Sequence, residues 1–147
     1  MIDNFSRLRR YRQDERIRSL FQDTSIRKKD LIIPLFFHEN EPTETIASMP
    51  FVKRYHPDCL LKAVEDYLKR GFETFILFPA LKISQKDLTC QLAFDPDGPV
   101  PTILKTLKRH FPEAIFIADV ALDPYHIQGQ DGLLHDHGDV DNDKTLR

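Results

Sequence analysis

Three aspartates lie close together in the segment DVALDPYHIQGQDG: Asp119, Asp123 and Asp131. Asp119 lies within or at the end of an otherwise apolar run of strand length. A carboxylate placed there must be hydrogen-bonded or face water, because burying it unpaired is costly. In parallel α/β folds the loops after the strands converge at the strands' carboxyl ends, and sites are built there. Gly129 and Gly132 allow close backbone approach beside these carboxylates. Three carboxylates in that position suit a hard cation or a substrate bearing an amine. The competing reading is a turn or helix cap, a common use of aspartate after a strand. Asp119, Asp123 and Asp131 are therefore the candidate site residues, and no metal ligand is assigned.

The other constellations are weaker. Asp139, Asp141 and Asp143 begin like a calcium loop, but Lys144 stands where that loop needs glycine. His135 and His137 flank Asp136, and two histidines two apart are not a complete zinc ligand set. Cys59 and Cys90 have no CxxC spacing, which fits a reducing cytosol better than a disulfide framework. No GxGxxG or GxxxxGK[ST] occurs, so nucleotide-binding folds have no direct support.

The elements that must position the aspartates are read from periodicity. Asp14 to Phe21 reads as a short helix with Ile17, Leu20 and Phe21 on one side. LIIPLFF, Leu31 to Phe37, fits a strand buried on both faces, although Pro34 argues for an edge strand or an interruption. SMPFVKRYHPD reads as a loop, with Pro57 in the first turn of a helix. Leu60, Val64, Tyr67 and Leu68 form that helix's apolar stripe, and Lys69, Arg70 and Gly71 end it. Thr74 to Phe78 is a second strand. Lys82 to Gly98 is polar and loop-like. Val100, Ile103, Leu104, Leu107 and Phe111 form a second helical stripe, stopped by Pro112. Ala114 to Leu122 is a third strand, and Asp123 to Arg147 reads as a long loop. The order β, α, β, α, β implies parallel strands with right-handed crossovers. An open doubly wound sheet and part of a (β/α)8 barrel both satisfy it.

Composition bounds the class. The chain has 147 residues, 41% hydrophobic and 30% charged, as in a soluble globular domain. No apolar run approaches the ~20 residues that span a bilayer, and the start has no secretory-signal pattern, so no membrane partner is expected. Lys plus Arg is 21 against 23 Asp plus Glu, a formal charge of −2. Arg7, Arg9, Arg10, Arg12, Arg16 and Arg18 crowd the start, interrupted by Asp14 and Glu15. Without a base-reading motif, this reads as a solvated or subunit-facing arm rather than a nucleic-acid contact.

Taken in order, RLRRYR, DLIIPLFF, SMPFVKRY, ILFP, FDPDGPVP, FPE, DVALDPYHIQGQDG and DVDNDKTL resemble the porphobilinogen synthase (5-aminolevulinate dehydratase) family. The resemblance covers nearly the whole chain. It implies α/β architecture: the N-terminal portion of a (β/α)8 barrel, about three of eight strands at 26–147, behind an extended arm at 1–25 that embraces a neighbouring subunit. It implies a lyase of tetrapyrrole (heme) biosynthesis that condenses two 5-aminolevulinate molecules into porphobilinogen with loss of water. It also implies a cytoplasmic homo-oligomer, typically an octamer. The family's two Schiff-base lysines lie in the second half of its chain, beyond Arg147, so no lysine here takes that role and this chain is expected to be inactive alone. Zinc-dependent members carry three cysteines where this sequence has Ala121, Asp123 and Asp131. Thiolates suit zinc, while carboxylates suit magnesium or monovalent ions. The chain thus resembles the zinc-independent, aspartate-type branch, whose members are often magnesium-stimulated. Phe51 stands where the family usually has glycine, and Phe94 where it has tyrosine. The alternatives are a non-catalytic truncated homologue that binds full-length subunits and an unrelated small α/β binding module.

Overall fold

Along the two longest strands every second side chain turns to one face and is buried there, apart from the half-buried Ile33, and that alternation sets the architecture. The computed structural model describes residues 9–39 and 41–146. Its strands are β1 (Ile32–Phe37), β2 (Glu44–Thr45), β3 (Lys53–Tyr55), β4 (Thr74–Pro79) and β5 (Ile115–Ala118). They form one sheet in the order β2-β3-β1-β4-β5. β3, β1, β4 and β5 run parallel, and β2 pairs antiparallel with β3. The helices are α1 (Glu15–Leu20), α2 (Pro57–Lys69), α3 (Pro99–His110) and α4 (Asn142–Thr145).

The two crossover helices begin and end as their sequences require. Proline occupies the first helical position of both α2 and α3, where its missing N–H costs nothing. Gly71 takes φ +85° after α2, and Phe72 N–H reaches back to the Tyr67 carbonyl, closing the helix end. Leu60 and Val64 of α2, with Val100, Ile103 and Leu107 of α3, pack onto Leu35, Phe37, Phe75 and Leu77 of the sheet. Both helices therefore lie on the same face.

That placement decides between the two sequence-level architectures. A doubly wound sheet puts helices on both faces, whereas a barrel puts them only outside. The opposite face carries Pro34, Ile76 and Ile117 in one register row and Phe36 and Phe78 in the next. Phe36 and Phe78 stack with ring centroids 5.2 Å apart. Ile32 and Ile115 on that face are about half exposed. An apolar inner face without helices is the wall of a partial barrel.

Four details differ from the sequence reading. Pro34 lies in β1, an interior strand rather than an edge. Ala80 N–H, just past β4, donates to the Phe37 carbonyl, and His38 N–H donates to the Tyr55 carbonyl of β3. Alternation turns residue 34 toward the β3 side, where pairing begins only at Phe36, so no ladder bond is lost. The expected loop SMPFVKRYHPD contains β3, too short for a periodicity signal. The third strand stops at Ala118 instead of Leu122. The expected loop after Asp123 contains α4, capped by the Asp141 carboxylate at Lys144 N–H.

Of the arm, Met1 to Leu8, including Arg7, lies outside the described residues, as do Asn40 and Arg147. In the rest, Asp14 caps α1 and Tyr11 packs on Phe21 with centroids 4.2 Å apart. No residue of α1 is buried, and Leu20 and Phe21 are exposed.

Candidate active site

Asp119 is the first residue after β5, exposed at the strand's carboxyl end. The chain then turns through 120–131, and Asp131 returns to the start of that turn. One oxygen of Asp131 accepts from both Leu122 N–H and Asp123 N–H, each at 3.1 Å. The structure thus brings the three sequence-predicted aspartates into one neighbourhood. Partial desolvation and then the charges of Asp131 and Asp119 hold the Asp123 carboxyl above the usual carboxylate range, and Lys86 opposes that rise. Such a cluster can hold a cationic amine, and its least acidic member can accept a proton from it. Asp131 also performs the structural role, since it ties the turn by its backbone bonds.

The loop after β4 is stitched to the loop after β5. Asp87 N–H donates to the Tyr125 carbonyl, and Ile127 N–H donates to the Asp87 carbonyl. The Asp87 carboxylate, bonded to Thr89 and Gln91, lies below the usual range. Cys90 sits buried in a left-handed conformation, φ 54°, with its sulfur 3.7 Å from the Leu122 carbonyl. Burial pushes its thiol up, away from thiolate character. His126 is buried, and its Nδ1 accepts from Gln128 N–H, which leaves the proton on Nε2 without a partner.

A cleft of about 830 Å³ opens at the carboxyl ends of β1, β3 and β4. His38, Arg54, Ala80, Lys82 and Lys86 lie on its wall. Arg54 is engaged by Glu44 at 2.7 Å, Lys82 by Glu41, and Gln85 by Glu39. His38 is 6% exposed, and both of its ring nitrogens lack a hydrogen-bond partner. Sequence reasoning missed His38 and Lys86. The strand-end rule that found Asp119 applies equally to residues after β1 and β4.

The remaining motifs serve local structure. Asp141 is buried, receives Lys144 at 2.9 Å and faces His135 at 3.4 Å. Lys144, first by its hydrogen bond, holds the Asp141 carboxyl below the usual range. His135 and His137 stack with centroids 4.9 Å apart. A Cβ on Gly132 would stand 2.6 Å from Val140 Cγ1, so glycine is required where this segment folds back. Among the described residues, no three His, Cys, Asp or Glu side chains form a group able to hold a metal ion. No helix among them is long and apolar enough to cross a membrane.

Known proteins share this fold. The structure matches the crystal structure of delta-aminolevulinic acid dehydratase (porphobilinogen synthase) from Toxoplasma gondii ME49 in complex with the reaction product porphobilinogen. The TM-score is 0.92 at 35% identity, covering 99% of this chain and 42% of that one. The chloroplastic delta-aminolevulinic acid dehydratase of Selaginella martensii is 37% identical over 142 residues, 96% of this chain and 34% of that protein. That of Hordeum vulgare is 38% identical over 146 residues, 99% of this chain and 34% of its own length. The Rhodobacter capsulatus enzyme is 37% identical over 95% of this chain and 42% of its own. The chain thus spans about a third to two fifths of the length of these relatives. Residues 5–147 match the family profile, which sets aside the unrelated small α/β module: the chain belongs to the delta-aminolevulinic acid dehydratase family.

Proposed function

We propose that this chain is the amino-terminal portion of a porphobilinogen synthase, a lyase that condenses two molecules of 5-aminolevulinate and eliminates water. The observation that carries the reading is the match of 99% of the chain to a relative crystallised with porphobilinogen, with carboxylates gathered at the barrel mouth. In this reading Asp119, Asp123 and Asp131 receive the substrate's ammonium group. An amine must lose its proton before it attacks a carbonyl, and a carboxylate of raised pKa is suited to take that proton. A carboxylate cannot form an imine. The Schiff-base lysines of the resembled family belong to the part of the relatives that this chain does not span.

We propose further that the enzyme belongs to the zinc-independent branch. Asp123 and Asp131 offer oxygen donors where the zinc branch offers thiolates, and Cys59 and Cys90 are separate and unpaired. Magnesium would bind elsewhere in the intact protein, and no step is routed through a metal held by these residues. The arm, 1–25, in which Leu20 and Phe21 are exposed and beside which Ile26 is exposed, would embrace a second subunit of a homo-oligomer, an octamer by the resemblance. Unpaired thiols suit the cytosol, although several relatives are named chloroplastic.

The experiment is an assay of the intact protein with 5-aminolevulinate, before and after a zinc-selective chelator, with magnesium then restored. Porphobilinogen formation that survives the chelator supports both parts. Activity recovered only by zinc overturns the branch assignment, and no product under any metal condition overturns the function.

A further inference from the structure

The turn that carries Asp123 is held from within and from outside. From within, one oxygen of Asp131 accepts from Leu122 N–H and Asp123 N–H, each at 3.1 Å. From outside, residues 87–90 of the loop after β4 grip the same turn. Asp87 N–H donates to the Tyr125 carbonyl at 3.2 Å, and Ile127 N–H donates to the Asp87 carbonyl at 3.0 Å. The Cys90 sulfur lies 3.7 Å from the Leu122 carbonyl. Cys90, Tyr125 and His126 are buried where the two loops meet. The Asp87 side chain gives residues 87–90 their shape. Its Oδ1 accepts from Thr89 N–H at 2.6 Å and from the Thr89 hydroxyl at 2.7 Å, and its Oδ2 accepts from Gln91 N–H at 3.3 Å. These bonds bracket Cys90, which stands at φ 54°, a conformation that a residue other than glycine keeps only where its surroundings fix it.

We propose that Asp87 is a positioning residue for Asp123: its carboxylate shapes the turn after β4 that clasps residues 122–127, and the clasp fixes where Asp123 stands. This rests on the reading that Asp123 receives the substrate ammonium. Asp87 acts through the backbone of the neighbouring loop. Its pairing with His126 resumes the parallel register of β4 and β5 beyond the ends of both strands, so the two loops leave the sheet side by side. Without the carboxylate, Thr89 N–H and Gln91 N–H lose their acceptor, and Cys90 is free to leave the left-handed conformation. The contacts to Leu122, Tyr125 and Ile127 then lose their common anchor, and Asp131 alone holds the turn. A group that binds substrate must be held by its supporting residues, because a displacement of about 1 Å is enough to weaken a productive contact severely.

The test compares wild type with Asp87→Asn and Asp87→Ala in the intact protein. Asp87→Asn keeps an acceptor for Thr89 N–H, and Asp87→Ala keeps none. KM for 5-aminolevulinate rises about twofold in Asp87→Asn and about five- to tenfold in Asp87→Ala, as expected for a substrate contact that is loosened and not removed. KM does not depend on how much enzyme is folded, so a lowered kcat with a wild-type KM marks a purely structural residue and overturns the proposal. If Asp87→Ala does not fold, Asp87→Asn decides alone, and a wild-type KM in it overturns the proposal. A wild type with no activity on 5-aminolevulinate defeats the functional reading alone. Amide hydrogen exchange at Ile127, whose N–H is bonded to the Asp87 carbonyl, then decides the clasp. Exchange faster by about threefold or more in Asp87→Asn supports it, and equal rates refute it.

Discussion

Phe51 gives a quantitative handle on the local backbone. It has φ 71°, in the left-handed region, and its side chain is 98% exposed at the turn between β2 and β3. A bulky residue there brings Cβ against the following carbonyl, which costs about 1–2 kcal/mol. Replacement by glycine removes that penalty and loses no burial. It also adds unfolded-chain freedom worth about 0.5–1 kcal/mol against the folded state. Phe51→Gly is therefore stabilising by up to about 1.5 kcal/mol. Phe51→Ala, which keeps the clash, stays within about 0.5 kcal/mol of wild type. Urea unfolding of the intact protein, with midpoints compared at a constant slope, measures both. A glycine variant destabilised by 1 kcal/mol or more would refute the reasoning and show that the ring packs on something. The family resemblance gives glycine as the usual residue here, in accord with the sign.

Three further outcomes follow from named contacts. Asp131→Ala strands the N–H groups of Leu122 and Asp123 and costs about 1–3 kcal/mol in unfolding, whereas Asp131→Asn keeps an acceptor and costs less, while both lower activity. Gly132→Ala drives a methyl into Val140 and costs about 1–3 kcal/mol, and Val140→Ala in the same chain recovers part of it, as a double-mutant cycle measures. Asp141 has a folded pKa below its unfolded value, so its contribution is present above about pH 4 and lost as pH falls through the folded value. The stability difference between wild type and Asp141→Asn should accordingly shrink in acid, as pH-dependent unfolding will measure.

What was legible in the sequence was what repeats. The stripes of α2 and α3 and the buried runs of β1 and β4 carry periods long enough to read, and Pro57 and Gly71 mark the ends of α2. β3 was not legible, because a three-residue strand with Lys53 and Arg54 has no period, and its partner Phe36–Phe37 is remote in sequence. Pro34 misled because the edge rule concerns the side its nitrogen faces, which only the register reveals. The family resemblance favoured a barrel over an open sheet, and periodicity did not separate them. The one-sided placement of α2 and α3 supplies the physical reason. At the candidate site, strand-end logic pointed to Asp119, Asp123 and Asp131, which the structure gathers beyond β5. The bond from Asp131 back to residues 122 and 123, and the placement of Lys86 and His38 in one cleft, depend on loops whose geometry has no sequence period.

The central claim is that the carboxylates beyond β5 receive the substrate's ammonium group. The direct measurement is KM for 5-aminolevulinate in the intact protein and in Asp123→Asn, a change of charge at nearly constant shape. The account predicts a KM raised about tenfold or more, the loss of one charge-assisted contact, with an unchanged unfolding midpoint. An Asp123→Asn enzyme with the wild-type KM and kcat would contradict it.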